Sequence, residues 1–368
     1  MNKTVKIIFG LSLVTLVFIL AACSLRPAIT IPNEPIKIGV VGHFSGEYAS
    51  YSIPMKQAIE LAVEKFNQEN NKVKISLIVE DDKTNASEAA SAVNKLINVD
   101  QVNYIISAQG SGATSAISPI AQDNKRILMI TLASAPGLPK TGEYVFRSIP
   151  SDVYQANKMA DFIINDLKSE KVAGLYVNDA YGTGIKDIID KNLSPKIVAN
   201  EMFEASSTDF KTQLLKIKEN QADTLVLVSR KETPQILKQI KELELNLRII
   251  AAETVNDEEI LKKSGENAEG IYIVFTAEPK DYLNFKEMYK EKFNEEPSAY
   301  SMYAYDGAKA LLAAIKINPE VEKVKSNLLS IKFNGASSEF GFDSGRERIG
   351  MKYIIYIVKD GKAVEYTK

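Results

Sequence analysis

The feature that most constrains this chain is a rhythm that runs, pauses and starts again. Short β-branched runs at 36–42, 73–79, 104–106 and 127–130 alternate with segments at 55–67, 87–97 and 113–122 whose apolar residues recur at helical spacing, as in Ala58, Ile59, Ala62, Val63 and Phe66. After a pause at 144–150 the pattern resumes, with helices expected at 153–167, 184–191, 210–218 and 234–243 and strands at 172–177, 197–202, 225–228 and 248–251. A third stretch offers a strand at 271–274, helices at 282–293 and 301–315, and a last strand at 353–358. Strand and helix in strict alternation predict parallel sheets wrapped by helices on both faces, here as two doubly wound α/β units. The 368 residues suffice for two cores.

Open parallel sheets bind ligands beyond the carboxyl ends of their strands, so the residues just past each strand are the ones to read for function. Those segments, 43–51, 108–115, 132–137, 178–184, 229–232 and 252–256, are rich in Gly, Ser, Tyr or charge and could face one cleft between two lobes.

Gly110-Ser111-Gly112-Ala113-Thr114-Ser115 follows a strand and opens a helix, whose free amides favour an anion. A dinucleotide would need an acid near the end of the next strand, and 127–134 has none, so a small carboxylate is the better guest. The plainer alternative is that Ser111 caps its helix. Ser134, in Leu132-Ala133-Ser134-Ala135-Pro136, ends the next strand and could share the same carboxylate; alone it would read as ordinary loop chemistry. Glu253 follows an apolar strand and needs either water, a protein lysine or a ligand ammonium. Tyr181, and Tyr48 with Tyr51 after the first strand, supply rings with polar tips suited to pocket walls. Arg230 and Lys231 put two cations at a strand end, either solvated or selecting an acidic ligand. Glu80-Asp81-Asp82 reads as helix capping or solvated charge, and no metal site is expected.

The amino terminus sets the compartment. Lys3 and Lys6 precede an apolar run ending in Leu20-Ala21-Ala22-Cys23, the pattern of a secretion signal. The run is shorter than the roughly 20 residues that span a bilayer. The tetrad resembles the bacterial lipobox, which implies a signal peptide at 1–22, lipidation of Cys23 and a tether at 23–35, outside the cytoplasm. Loss of Lys3 and Lys6 with the leader takes the net charge from −2 to −4, and no basic block supports nucleic-acid binding. Cys23 is the only cysteine and His43 the only histidine, so disulfides and Cys/His zinc sites are excluded. Acid–base chemistry would have to run through His43, for which a supporting or rim role is expected.

With Ile36-Lys37-Ile38-Gly39-Val40-Val41-Gly42, Ser45-Gly46, Gly110-Ser111, Ile127-Leu128-Met129-Ile130-Thr131, Val177-Asn178-Asp179-Ala180-Tyr181-Gly182, Asp209-Phe210, Ala304-Tyr305-Asp306 and Phe342-Asp343, the chain resembles the type I periplasmic binding proteins, particularly those of branched-chain amino acid ABC transporters. The resemblance implies two lobes, 36–148 with 279–340 and 149–278 with 341–368, joined by three crossing strands that close on a small ligand for a membrane permease. It implies that Ser111 and Ser134 hold a ligand carboxylate, Glu253 an ammonium, Tyr181 an aromatic contact, and Gly110 and Ala133 backbone or wall positions. No cofactor and a monomer are expected. Arg230 and Lys231 stand where related amino-acid binders carry an aromatic residue, the 132–136 loop is one residue shorter, and Ser52 replaces a glycine. A sensory module acting through a separate receptor is the alternative, with a hydrolase on the same scaffold a third reading.

Overall fold

Residues that β-branch and bury on both sides suit parallel strands covered by helices, and the interior strands here carry almost no exposed side chain. The computed structural model describes residues 34–70 and 72–367; the leader, Cys23 and most of the tether lie outside the described residues. The first half forms β1 (Ile36–Gly42), α1 (Ala49–Glu69), β2 (Ile75–Asp81), α2 (Ala86–Asn98), β3 (Tyr104–Ala108), α3 (Ser111–Asp123), β4 (Ile127–Ile130) and β5 (Val145–Arg147). These strands make one parallel sheet in the order β2-β1-β3-β4-β5.

The second half repeats the plan with α4 (Asp152–Asn165), β6 (Val172–Val177), α5 (Ala180–Leu193), β7 (Ile197–Phe203), α6 (Lys211–Glu219), β8 (Thr224–Val228), α7 (Thr233–Glu242), β9 (Arg248–Ala251), α8 (Glu258–Ser264) and β10 (Tyr272–Thr276). The chain then adds α9 (Tyr282–Phe293), α10 (Ser301–Ile317), α11 (Val321–Ser330), β11 (Phe333–Gly335), β12 (Ser338–Phe342), β13 (Arg348–Ile349), β14 (Tyr353–Lys359) and β15 (Lys362–Glu365). The second sheet runs β15-β14-β10-β9-β8-β6-β7, parallel except at its antiparallel β14 and β15. Helix α10 returns to pack on α1, so one apolar core joins residues from 38–149 and 285–342. Another is built from 156–274 with Ile355 and Val358.

Several elements depart from the periodic reading. The pause at 144–150 contains β5, three buried residues beside β4, too short for a period to register. Helix α1 begins at Ala49 and runs through Pro54, which the spacing rule had placed outside it. Helix α5 begins at Ala180, so Tyr181 stands in its first turn and not in a loop. Gly182 permits this start: a Cβ there would lie 1.9 Å from the Val177 carbonyl oxygen. The small antiparallel sheet β11-β12-β13 has no counterpart in the expected elements.

Three connections, at 147–152, 276–282 and 342–353, link the two halves. They are tied to one another: the buried Arg147 guanidinium donates to both Glu347 carboxylate oxygens at 2.8 and 2.6 Å, and the Ala277 amide donates to the Lys352 carbonyl at 2.9 Å. Strand order reverses between β1 and β3 in one sheet and between β6 and β8 in the other. The loops that leave these four strands meet in a single cleft, where such switch points place ligands.

Candidate functional site

A cavity of about 250 Å³ lies between the two sheets. Gly110, Ser111, Ser134, Tyr181, Glu253, Tyr51 and Arg230 all line it. Ala133 and Lys231, expected beside them, do not. Ala133 is buried in the apolar core behind α3 and the first sheet. Lys231 follows Arg230 in the turn into α7, and its ammonium donates to the Glu47 carbonyl at 2.6 Å.

On the first-sheet side, Gly110 is the N-cap of α3 and Ser111 its first residue, so Ser111 does not cap the helix as the plainer reading held. Its hydroxyl accepts instead from the Ala135 amide at 3.2 Å, which pulls the 132–136 loop and Ser134 against the helix start. The first amides of α3 have no acceptor within the helix and open toward the cavity, giving with the two hydroxyls a seat for a small anion. A buried chain fixes this seat. The Gly110 amide donates to His43 Nε2 at 2.9 Å, and His43 Nδ1 donates to Asp82 at 2.6 Å. Asp82 also accepts from Gln109 Nε2 and from the Thr84 amide. Asp82 is therefore neither solvated nor a simple cap: it is fully buried. Both nitrogens of His43 are engaged within the protein, which leaves no free lone pair to take a substrate proton.

On the second-sheet side, Glu253 opens a turn directly after β9 and is 7% exposed. Tyr181 donates its hydroxyl to Glu253 at 2.9 Å, and the Glu253 amide donates to Gln155 Oε1 at 3.3 Å. Burial pushes the Glu253 pKa up, while hydrogen bonds from Gln155 and Tyr181 hold part of that rise back. Asp152 stands behind this pair, fully buried, with one oxygen accepting from Gln155 Nε2 at 2.5 Å and the other without a hydrogen-bond partner. Burial and then the neighbouring Glu253 charge hold its carboxyl well above the usual range. Of these groups Glu253, Tyr181 and Thr254 line the cavity, and the Glu253 carboxylate is the acid that a ligand in it would meet.

The walls are aromatic. Tyr51 meets Tyr300 edge-on at 5.9 Å, and Tyr48 lies between Tyr51 and His43. Arg230 lies over the ring of Tyr181 from its own side at 4.7 Å and over that of Tyr48 from the other at 5.7 Å, and it pairs with Asp179 at 2.8 Å. Burial opposes its charge, but Asp179 and the two tyrosines raise its pKa above the ordinary arginine value.

Sequence reasoning missed Asp152, Gln155, Thr254 and Tyr300. Ser151-Asp152 has the form of an ordinary helix start, with Ser151 accepting from the Val153 amide, and nothing local marks the acid as buried. Tyr300 precedes α10, far along the chain from the loops it faces. Among the described residues no group of three or more His, Cys, Asp and Glu is placed to hold a metal ion, and no helix is long and apolar enough to cross a membrane.

Comparison with known proteins follows the same geometry. The leucine-, isoleucine-, valine-, threonine- and alanine-binding protein of Pseudomonas aeruginosa is 25% identical over 88% of this chain and 90% of its own length. Among crystal structures, the leucine-binding protein LivK of Thermotoga maritima superposes with a TM-score of 0.83 at 24% identity, covering 90% of this chain and 98% of that one. LivJ of Streptococcus pneumoniae, a branched-chain amino acid transporter substrate-binding protein in complex with isoleucine, gives 0.81 at 26% identity over 90% of this chain and 100% of that one. These relatives are named as binding proteins and not as enzymes. The two-lobed architecture, the cleft at its switch points and a family model that matches residues 35–363 agree, and the chain belongs to the periplasmic binding protein family.

Proposed function

We propose that this protein is the extracytoplasmic solute-binding component of an ABC importer, lipid-anchored through Cys23 and monomeric, that captures an amino acid and presents it to a membrane permease. The carrying observation is the division of the cleft: an anion seat at Ser111, Ser134 and the α3 amides faces a cation seat at Glu253 across one cavity. An α-amino acid carries its carboxylate and ammonium on one carbon and would bridge the two. Because each seat belongs to a different sheet, such a ligand binds the closed arrangement better than an open one, and that difference in affinity is what shifts a hinge. The moving bodies in this reading are 36–148 with 279–340 and 149–278 with 341–368.

Thermal melting of the purified chain against a panel of amino acids tests the proposal. A ligand at 100 times its Kd adds about 2.7 kcal/mol. Glu253→Ala and Ser111→Ala are each expected to weaken binding by at least about 1 kcal/mol through lost hydrogen bonds to charged groups. Unchanged affinity in both variants would refute the site.

A further inference from the structure

Arg230 is not free to act as a bare positive charge. Its Nη1 is ion-paired with Asp179 Oδ2 at 2.8 Å, and no second side-chain acceptor for the guanidinium stands among the described residues. It lies over the rings of Tyr181 and Tyr48, at 4.7 and 5.7 Å from their centres, and its remaining N–H groups are the donors a ligand would meet. Asp179 also lines the cavity, and its geometry is fixed: Oδ1 caps α5 by accepting from the Tyr181 and Gly182 amides at 2.9 and 3.0 Å. The end of the cavity at Arg230 and Asp179 therefore presents donors and an acceptor side by side, with no net charge.

We infer that, within the amino-acid-binding reading on which this inference rests, the site selects an amino acid whose side chain ends in a neutral carboxamide or ureido group. Such a group carries a carbonyl oxygen for the guanidinium edge and N–H donors for Asp179, and both complements are met at once. A branched aliphatic side chain leaves the guanidinium donors that Asp179 does not meet without an acceptor. An acidic side chain brings a further carboxylate to a guanidinium that Asp179 already neutralises. A basic side chain meets Arg230 itself. Specificity thus comes from two repulsions and one unmet donor set as much as from the new contacts.

Isothermal titration calorimetry on the purified chain, with glutamine, asparagine, citrulline, glutamate, aspartate, leucine, isoleucine and valine as probes, tests this. Glutamine, asparagine or citrulline is expected to bind at least about tenfold more tightly than glutamate and than leucine. Arg230→Met keeps length and ring packing but removes the donors, and is expected to abolish that margin and favour leucine. Asp179→Asn keeps a capping oxygen for α5 but uncovers the Arg230 charge, and is expected to move the preference from glutamine to glutamate. This second variant carries the test if Arg230→Met does not fold. Tightest binding of leucine, isoleucine or valine, with Asp179→Asn leaving the order unchanged, overturns the inference and leaves the proposed function standing. Tightest binding of glutamate by the unaltered protein overturns the neutralising role of Asp179, and with it the inference. A protein that melts cooperatively and binds no amino acid overturns both readings.

Discussion

His43→Ala separates a structural histidine from a catalytic one, and its cost can be worked from the contacts. His43 is 4% exposed, and its ring accepts from the Gly110 amide at 2.9 Å and donates to Asp82 at 2.6 Å. Losing the acceptor strands a backbone amide, worth about 1–3 kcal/mol, and losing the bond to a buried carboxylate costs about 1.5–3 kcal/mol. Asp82 keeps Gln109 and the Thr84 amide, and water entering from the cavity would meet part of the loss, so a destabilisation of about 3 kcal/mol is expected. That is a large share of the roughly 5–15 kcal/mol by which domains are stable. Urea denaturation monitored by circular dichroism measures it, and calorimetry on the same variant reads the looser seating of α3 as weaker amino acid binding. In a double-mutant cycle, His43→Ala with Asp82→Asn should show a coupling of at least about 1 kcal/mol, since the two groups share one bond. A loss below about 1 kcal/mol with ligand affinity intact would refute the reasoning, because both orphaned groups are buried.

Asp152 gives a pH dependence of definite sign. Its folded pKa is raised, so the folded state holds the proton more tightly than the unfolded chain does. Its stabilising contribution is full below the unfolded carboxylate value of about 3.9 and is lost as pH rises through the raised folded value. Asp152→Asn should flatten that fall in a pH series of urea melts, and identical slopes would contradict the burial argument. Gly182→Ala would push a methyl into the Val177 carbonyl and should cost about 1–3 kcal/mol in denaturation, with a loss of ligand affinity because Tyr181 stands next to it. Arg147→Met strips the partner from Glu347 at the junction of two connections and is expected to lower stability by about 3 kcal/mol, read as a shift of the thermal midpoint.

The strand-end loops were readable because position relative to a strand is a local property. An apolar run followed by Gly-Ser, Ser or Glu announces itself within ten residues, and Ser111, Ser134, Glu253 and Tyr181 do line one cavity. Loop membership does not say which way a side chain points: the Lys231 ammonium meets the Glu47 carbonyl and the Ala133 methyl packs in the core, and neither lines the cavity. Asp152 was passed over because an acid in the first turn of a helix is ordinary, and only its complete burial makes it unusual.

The sequence by itself determined the alternation of strand and helix, the doubling of the α/β unit, and the small residues and acids, Glu253 among them, at the strand ends. Those follow from periodicity and backbone preference, which act over a few residues. The tertiary structure alone decided the pairings. His43 reaches Asp82 across 39 positions, Tyr181 reaches Glu253 across 72 and Gln155 reaches Glu253 across 98. It also decided that Arg230 lies beside Asp179 and within cation–π reach of rings from both sides of the cleft. The energy of a charge depends on what replaces its water, and that neighbour is supplied by sheet order and by loops that meet across the cleft, not by adjacent residues.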